Sequence, residues 1–199
     1  MSKIAHMHQK DFTALFLGAA ALWLSQAAWA EHGERVTVLV ANPALNDAAY
    51  ARSVVVLQRD GSEEVGVIIN RPSDYAVADV LDAPAAGKRV DPLYSGGPFL
   101  SQQLIALIRD EKSPGEKSMQ LARGLHLSIG ASVLERAVER GAGAARFYAG
   151  LVLWQPGELA EELKRGLWLK LEVPLDTVFS HNAEGLWEEL LLAAQAVRT

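Results

Sequence analysis

Four polar clusters stand at the ends of apolar runs in this chain: Asn42-Pro43, Arg52-Ser53, Asn70-Arg71-Pro72 and Ser95-Gly96-Gly97-Pro98. Two readings fit them. In one, they cap turns and fill bends, because Asn and Gly tolerate tight backbone and Pro presets it. In the other, they converge on a concave site. There Arg52 and Arg71 hold an anion, and glycine backbone N–H groups assist. The second reading makes Asn42, Arg52, Asn70, Arg71, Gly96 and Gly97 the candidate binding residues.

No residue is assigned as catalytic. Ser95 beside Gly96-Gly97 lacks the G-x-S-x-G elbow, and a strand-like run rather than a helix follows it. Past residue 30 the histidines are His32, His126 and His181, none at ligand spacing or inside a His/Asp/Glu cluster, so they read as structural. Gly141-Ala142-Gly143-Ala144-Ala145-Arg146 is superficially a dinucleotide loop. Its third glycine is Arg146, however, and it joins a helix to a strand, the reverse of the required order. Cysteine is absent, which excludes disulfides, thiol redox chemistry and iron–sulfur ligation. No cofactor and no metal is expected. Trp154, Trp168 and Trp187 lie in apolar elements and read as core.

The elements that would position these residues are mostly strands. Val36–Asn42, Ser53–Arg59 and Val65–Asn70 are short β-branched runs, and Asp60-Gly61 makes a hairpin of the second and third. VVV and VII are continuous rather than alternating, so these strands are expected to be covered on both faces. Further strands are expected at Leu104–Arg109, Leu125–Ile129, Arg146–Trp154 and Leu167–Val173, with Pro92–Ser95 leading into Gly96-Gly97. Ala76–Leu81 reads as a short helix, Ala83–Val90 and Glu111–Lys117 as loops. A better helix starts at Ser132, where Ser132 and Glu135 fit a capping box, carries the stripe Val133, Leu134, Ala137 and Val138, and stops at Gly141. Gly157–Arg165 follows Pro156 in a first-turn position, with Glu early, Lys-Arg late and Gly166 as stop. A terminal helix runs over Gly185–Val197, with Leu186, Leu190, Ala193 and Val197 on one face. Strands outnumber helices and no βαβ regularity appears. The expected class is α+β, a single compact domain with a mixed β-sheet flanked by helices.

Residues 1–30 differ from the rest. Lys3 and Lys10 precede the apolar run Phe12–Leu24, and Ala28-Trp29-Ala30 ends it before Glu31. Those are the three parts of a secretory signal peptide, with cleavage expected after Ala30 and a domain of residues 31–199 left behind. Read as an uncleaved anchor, Phe12–Ala30 could just span a bilayer. Removing the +1 carried by Lys3, Lys10 and Asp11 takes the net charge from −5 to −6. An acidic chain without a basic cluster repels nucleic acid.

The ordered segments resemble the YqgE/AlgH family. They run from Asn42-Pro43-Ala44-Leu45-Asn46-Asp47 and Tyr50-Ala51-Arg52-Ser53-Val54-Val55 through Gly66-Val67-Ile68-Ile69-Asn70-Arg71-Pro72 and Gly96-Gly97-Pro98. Gly124-Leu125-His126-Leu127, Gly150, Trp154-Gln155-Pro156-Gly157-Glu158-Leu159, Glu162-Leu163 and Pro174-Leu175-Asp176 through Phe179 complete the set. The chain departs from the pattern at Leu151-Val152-Leu153, where the family reads Y-A-G before the tryptophan; at Tyr50, where it has Phe; near Arg59, where it often has His; and at Glu158, where Gln is common. The resemblance implies a compact α+β domain and no reaction. Family members carry a transcriptional-regulator label, which conflicts with the export signal and acidic balance of this chain.

The expected function is therefore a periplasmic or secreted, non-enzymatic domain that binds a protein or small-molecule partner. The alternatives are a cytoplasmic transcriptional regulator whose N-terminus is misassigned, and an uncharacterised hydrolase using Arg52, Arg71 and Gly96–Gly97. Membrane contact is expected only through an uncleaved N-terminal segment, and nucleic acid is not the expected partner of an exported chain.

Overall fold

An apolar run along a strand needs cover on both faces, and in two of the central strands two separate cores supply it. The computed structural model describes residues 34–58, 64–81 and 91–196. On the strand β6 (Phe99–Arg109), Ile105 and Leu107 enter the larger core, whereas Ala106 and Ile108 enter the smaller one. On β9 (Ala145–Trp154), Tyr148 joins the first, Ala145 and Phe147 the second. Alternation of side chains across a strand splits one apolar run between two cores.

The remaining strands are β1 (Arg35–Ala41), β2 (Val54–Leu57), β3 (Glu64–Ile68), β4 (Pro72–Ala76), β5 (Pro92–Ser95), β7 (Ser118–Ala122), β8 (Leu125–Ser128) and β10 (Trp168–Pro174). The helices are α1 (Val77–Val80), α2 (Ala131–Val138), α3 (Glu158–Lys164) and α4 (Leu186–Ala196), with a 3-10 turn at Leu175–Phe179. The sheet runs β10-β1-β2-β3-β9-β6-β8-β7, and β4 joins through β5, which pairs with β9. It curls until the β7–β8 turn reaches the start of β1. There Arg123 Nε lies 3.6 Å from Glu34 Oε1, and Leu121 and Leu125 share a core with Val36 and Val38. The α+β class holds, with sheet predominating. Among the described strands the pairing is antiparallel except between β5 and β9, where Tyr94 faces Tyr148 and Ser95 faces Ala149.

Several expectations needed correction. The strand expected at Leu104–Arg109 begins five residues earlier, because the largely exposed stretch Phe99–Gln103 continues along β9 through a register shift with Leu100 at φ 52°. The strand β7 was not expected. Ser118-Met119-Gln120-Leu121-Ala122 has no β-branched residue, and its pairing with β8 across Arg123-Gly124 makes it a strand. Helix α2 starts at Ala131 with Gly130 as N-cap, so Ser132 makes no capping box. The Ser128 hydroxyl accepts the Gly130 N–H at 3.3 Å, and this turns the chain before Ser132 is reached. The helix also ends at Val138, short of Gly141. Arg140 anchors the chain just past its end, donating to the Asp110 carboxylate and the Arg109 carbonyl, both at 2.8 Å. Pro156 precedes the N-cap Gly157 instead of standing in the first turn of α3. The buried face of α4 is Leu186, Trp187, Leu190 and Ala194, with Ala193 exposed. The tip of the expected 53–70 hairpin, the 83–90 loop and Val197 lie outside the described residues; the hairpin strands do pair, Val55 opposite Ile68.

His126 on β8 is 4% exposed, and its Nδ1 has no hydrogen-bond partner among the described residues. Burial pulls the imidazole below its ordinary value, against the weaker opposing pull of the Asp110 carboxylate and carbonyl. The unfolded chain therefore binds the proton more readily than the folded one. The contribution of this group to stability is complete above about pH 6.5, the unfolded imidazole value, and falls as pH drops through the window below it. Urea unfolding between neutral pH and the acid side of that window is expected to show this slope, at most about 1.4 kcal/mol per pH unit for one proton. His126→Gln is expected to flatten it; an unchanged slope would assign the effect to another group.

Candidate functional site

The six residues singled out in the sequence lie along one end of the sheet, where β1 stops, β2 starts, β3 stops and β5 meets β9. Asn70 is buried and bridges to the start of β2. Its Oδ1 accepts the Val54 N–H at 2.8 Å, and its Nδ2 donates to the Arg52 carbonyl at 3.0 Å. Arg71 donates through Nη1 to the Ala49 carbonyl at 2.6 Å and through Nη2 to that of Ala51 at 2.7 Å, so its fork holds the turn before β2. Arg52 is exposed, sits 4.4 Å over the Trp187 ring and pairs with Glu188, tying that turn to α4. Asn42 Oδ1 accepts the Ala44 N–H at 2.9 Å, while its own N–H donates to Leu167.

Gly96 and Gly97 form a wedge. The Gly96 N–H donates to Ala149, its carbonyl accepts from Ile68, and so it stitches β9 to the end of β3. A Cβ on Gly96 would stand 2.2 Å from the Gly150 carbonyl oxygen, and one on Gly97 would stand 2.2 Å from that of Leu151. The backbones touch, and only hydrogen fits between them. Leu151 and Val152, at the point of departure from the family pattern, are buried in the core beyond this wedge. Ser95 is exposed, and among the described residues no histidine is hydrogen-bonded to it.

Beside this cluster opens a cavity of about 300 Å³, lined by Pro72, Tyr94, Arg146, His181, Asn182 and Glu184 among others. It adjoins the cluster through chain continuity, since Pro72 follows Arg71, Tyr94 precedes Ser95-Gly96, and the Ser95 N–H donates to the Arg71 carbonyl at 2.8 Å. Arg146 is its distinctive residue. It is 5% exposed and stacks 4.8 Å from the Tyr94 ring. Its Nη1 donates to Val178 at 3.1 Å and its Nη2 to Ser180 at 2.9 Å, which pins the segment leading to His181 and Asn182. Tyr148 is fully buried beside it, its ring 5.5 Å from that of Tyr94. Burial pushes the Tyr148 hydroxyl well up, outweighing the pull of Arg146, so it stays neutral.

Little in the sequence marks this cavity. Arg146 was legible as the one charged residue in RFYAGLVLW, an otherwise apolar strand; Tyr94, His181 and Asn182 gave no signal. A second cavity of about 390 Å³ lies between Asp110–Pro114 and α2, but its Arg140 is already paired with Asp110 at 2.8 Å and its Arg136 donates to the Pro114 carbonyl at 3.0 Å. Among the described residues no cluster of His, Asp or Glu could hold a metal ion.

Comparison with known proteins agrees with the fold. A family model described as AlgH-like matches residues 38–196. A UPF0301 protein of Streptomyces coelicolor is 37% identical over 161 residues, covering 77% of this chain and 83% of its own. A UPF0301 protein of Xanthomonas campestris pv. campestris is 30% identical over 158 residues, covering 76% and 84%. Among solved structures, the solution structure of the AlgH protein from Pseudomonas aeruginosa superposes with a TM-score of 0.60 at 26% identity, covering 81% of this chain and 86% of that one. A crystal structure of a Corynebacterium diphtheriae protein gives a TM-score of 0.63 at 24% identity over 79% and 85%, a likeness of fold.

Proposed function

The chain belongs to the AlgH-like family, and on that premise we propose an exported, non-enzymatic domain that binds a small ligand in the Arg146–Tyr94 cavity. The observation that carries binding is the cavity itself: concave, adjacent to the strand-end cluster, and floored by a buried guanidinium and an aromatic ring. Its volume of about 300 Å³ suits a small molecule better than a protein surface. The strand-end residues Asn42, Arg52, Asn70, Arg71, Gly96 and Gly97 support the site by fixing the backbone around it. Export rests on the signal-peptide pattern of residues 1–30. A regulator that reads DNA has no substrate outside the cytoplasm, and an acidic surface disfavours DNA in either compartment.

The test of export is direct. The full chain is expressed in a Gram-negative host, the cells are fractionated, and the N-terminal residue of the accumulated protein is read. Periplasmic protein beginning at Glu31 is the expected result. Soluble cytoplasmic protein with an intact N-terminus, shifting DNA in a salt-dependent way, would replace this reading with the regulator.

A further inference from the structure

We infer, resting on the reading that this cavity binds a ligand, that the ligand is a small organic monocarboxylate whose carboxylate meets Arg146. Arginine stays charged at every pH a protein experiences, and a buried charge without a counter-ion is unfavourable unless something offsets it. Among the described residues no carboxylate forms an ion pair with Arg146. Its partners are two backbone carbonyls and the face of Tyr94. Tyr148 beside it is a neutral phenol and supplies no charge. Two N–H groups of the fork are used of the five a guanidinium offers. The Tyr148 hydroxyl lies within reach of another, and the part of the guanidinium that lines the cavity is where an entering acceptor would meet it.

The rim selects among anions. Glu184 lines the cavity, so a dianion such as phosphate meets a like charge there with twice the repulsion that a monocarboxylate meets. Pro72, Pro92 and Tyr94 give an apolar wall against which a short carbon chain fits. Asn182, at the same mouth, offers an amide to the carboxylate edge.

The test titrates the purified protein, as the host processes it, with sodium butyrate, with butyramide as neutral isostere and with inorganic phosphate, following amide and arginine side-chain resonances by NMR. Butyrate is expected to bind saturably with a dissociation constant on the order of 1 mM. Butyramide and phosphate are expected to bind markedly less. Two substitutions at the mouth avoid the core. Glu184→Gln removes a like charge and is expected to tighten butyrate about threefold. Ala142→Glu adds one and is expected to weaken it at least about tenfold. If butyramide binds as well as butyrate and Glu184→Gln changes nothing, the carboxylate inference is overturned while the cavity remains a ligand site. Phosphate binding tighter than butyrate overturns the monocarboxylate choice in the same way. If no probe perturbs any resonance around the cavity, the inference and the binding reading fall together.

Discussion

Gly150→Ala is expected to destabilise the protein by more than about 3 kcal/mol, enough to unfold a large fraction of a marginally stable domain. Gly150 has φ 76°, a conformation that strains any residue with a Cβ by about 1 kcal/mol or more. The added methyl would also stand 2.3 Å from the Gly97 carbonyl oxygen, 2.9 Å from that of Phe99 and 3.1 Å from the Ser101 Cα. These are backbone atoms and no rotamer change moves them. Gly97 has little room to retreat, since its own Cα side lies against the Leu151 carbonyl. Relief therefore means prying β5 and β6 from β9, the strand that holds both to β3. Gly141→Ala is the matched control: nothing lies within 4 Å of a Cβ there, so its stability is expected to change by no more than about 0.5 kcal/mol. Urea unfolding of the two variants side by side decides the matter. Equal midpoints would show that the wedge gives way easily.

Glu162→Leu is expected to lower stability by about 2–4 kcal/mol, because one carboxylate oxygen accepts two buried indoles. Glu162 Oε2 takes Trp154 Nε1–H at 2.9 Å and Trp168 Nε1–H at 2.7 Å. The two rings meet edge to face at 6.1 Å, and Tyr50 meets Trp168 in the same manner at 6.1 Å. Both tryptophans are at most 5% exposed, so without Glu162 both indole N–H groups lose their acceptor in a largely buried setting. Glu162→Gln keeps an acceptor and is expected to lose less than half as much. Tryptophan emission read with urea unfolding gives local and global effects together. A Glu162→Leu variant within about 0.5 kcal/mol of the parent would mean that the indoles find other acceptors.

Both predictions concern segments that carried the family resemblance, and both assign them architectural work. Trp154 through Glu162 clamps α3 to β9 and β10, and Gly96-Gly97 with Gly150 lets three backbones meet. Tryptophans read as core from their apolar context are core. Their shared acceptor was not legible, because Glu162 on a short amphipathic helix has the spacing of any solvated carboxylate.

The sequence by itself determined the α+β class, the positions of most strands and the buried stripe of α2. Those follow from side-chain type and local period, which act between near neighbours whatever the rest of the chain does. It also determined that the continuous apolar strands would be covered on both faces. Tertiary structure decided the rest. The edge strand β7 exists because β8 pairs with it, and the exposed start of β6 is strand because β9 holds it. Only folding shows that Arg71 holds a turn and that Gly96 fits against Gly150. Only folding brings Arg146 beneath Tyr94 and against the carbonyls of Val178 and Ser180. Such contacts join residues far apart in the chain, and no local propensity encodes which of them will meet.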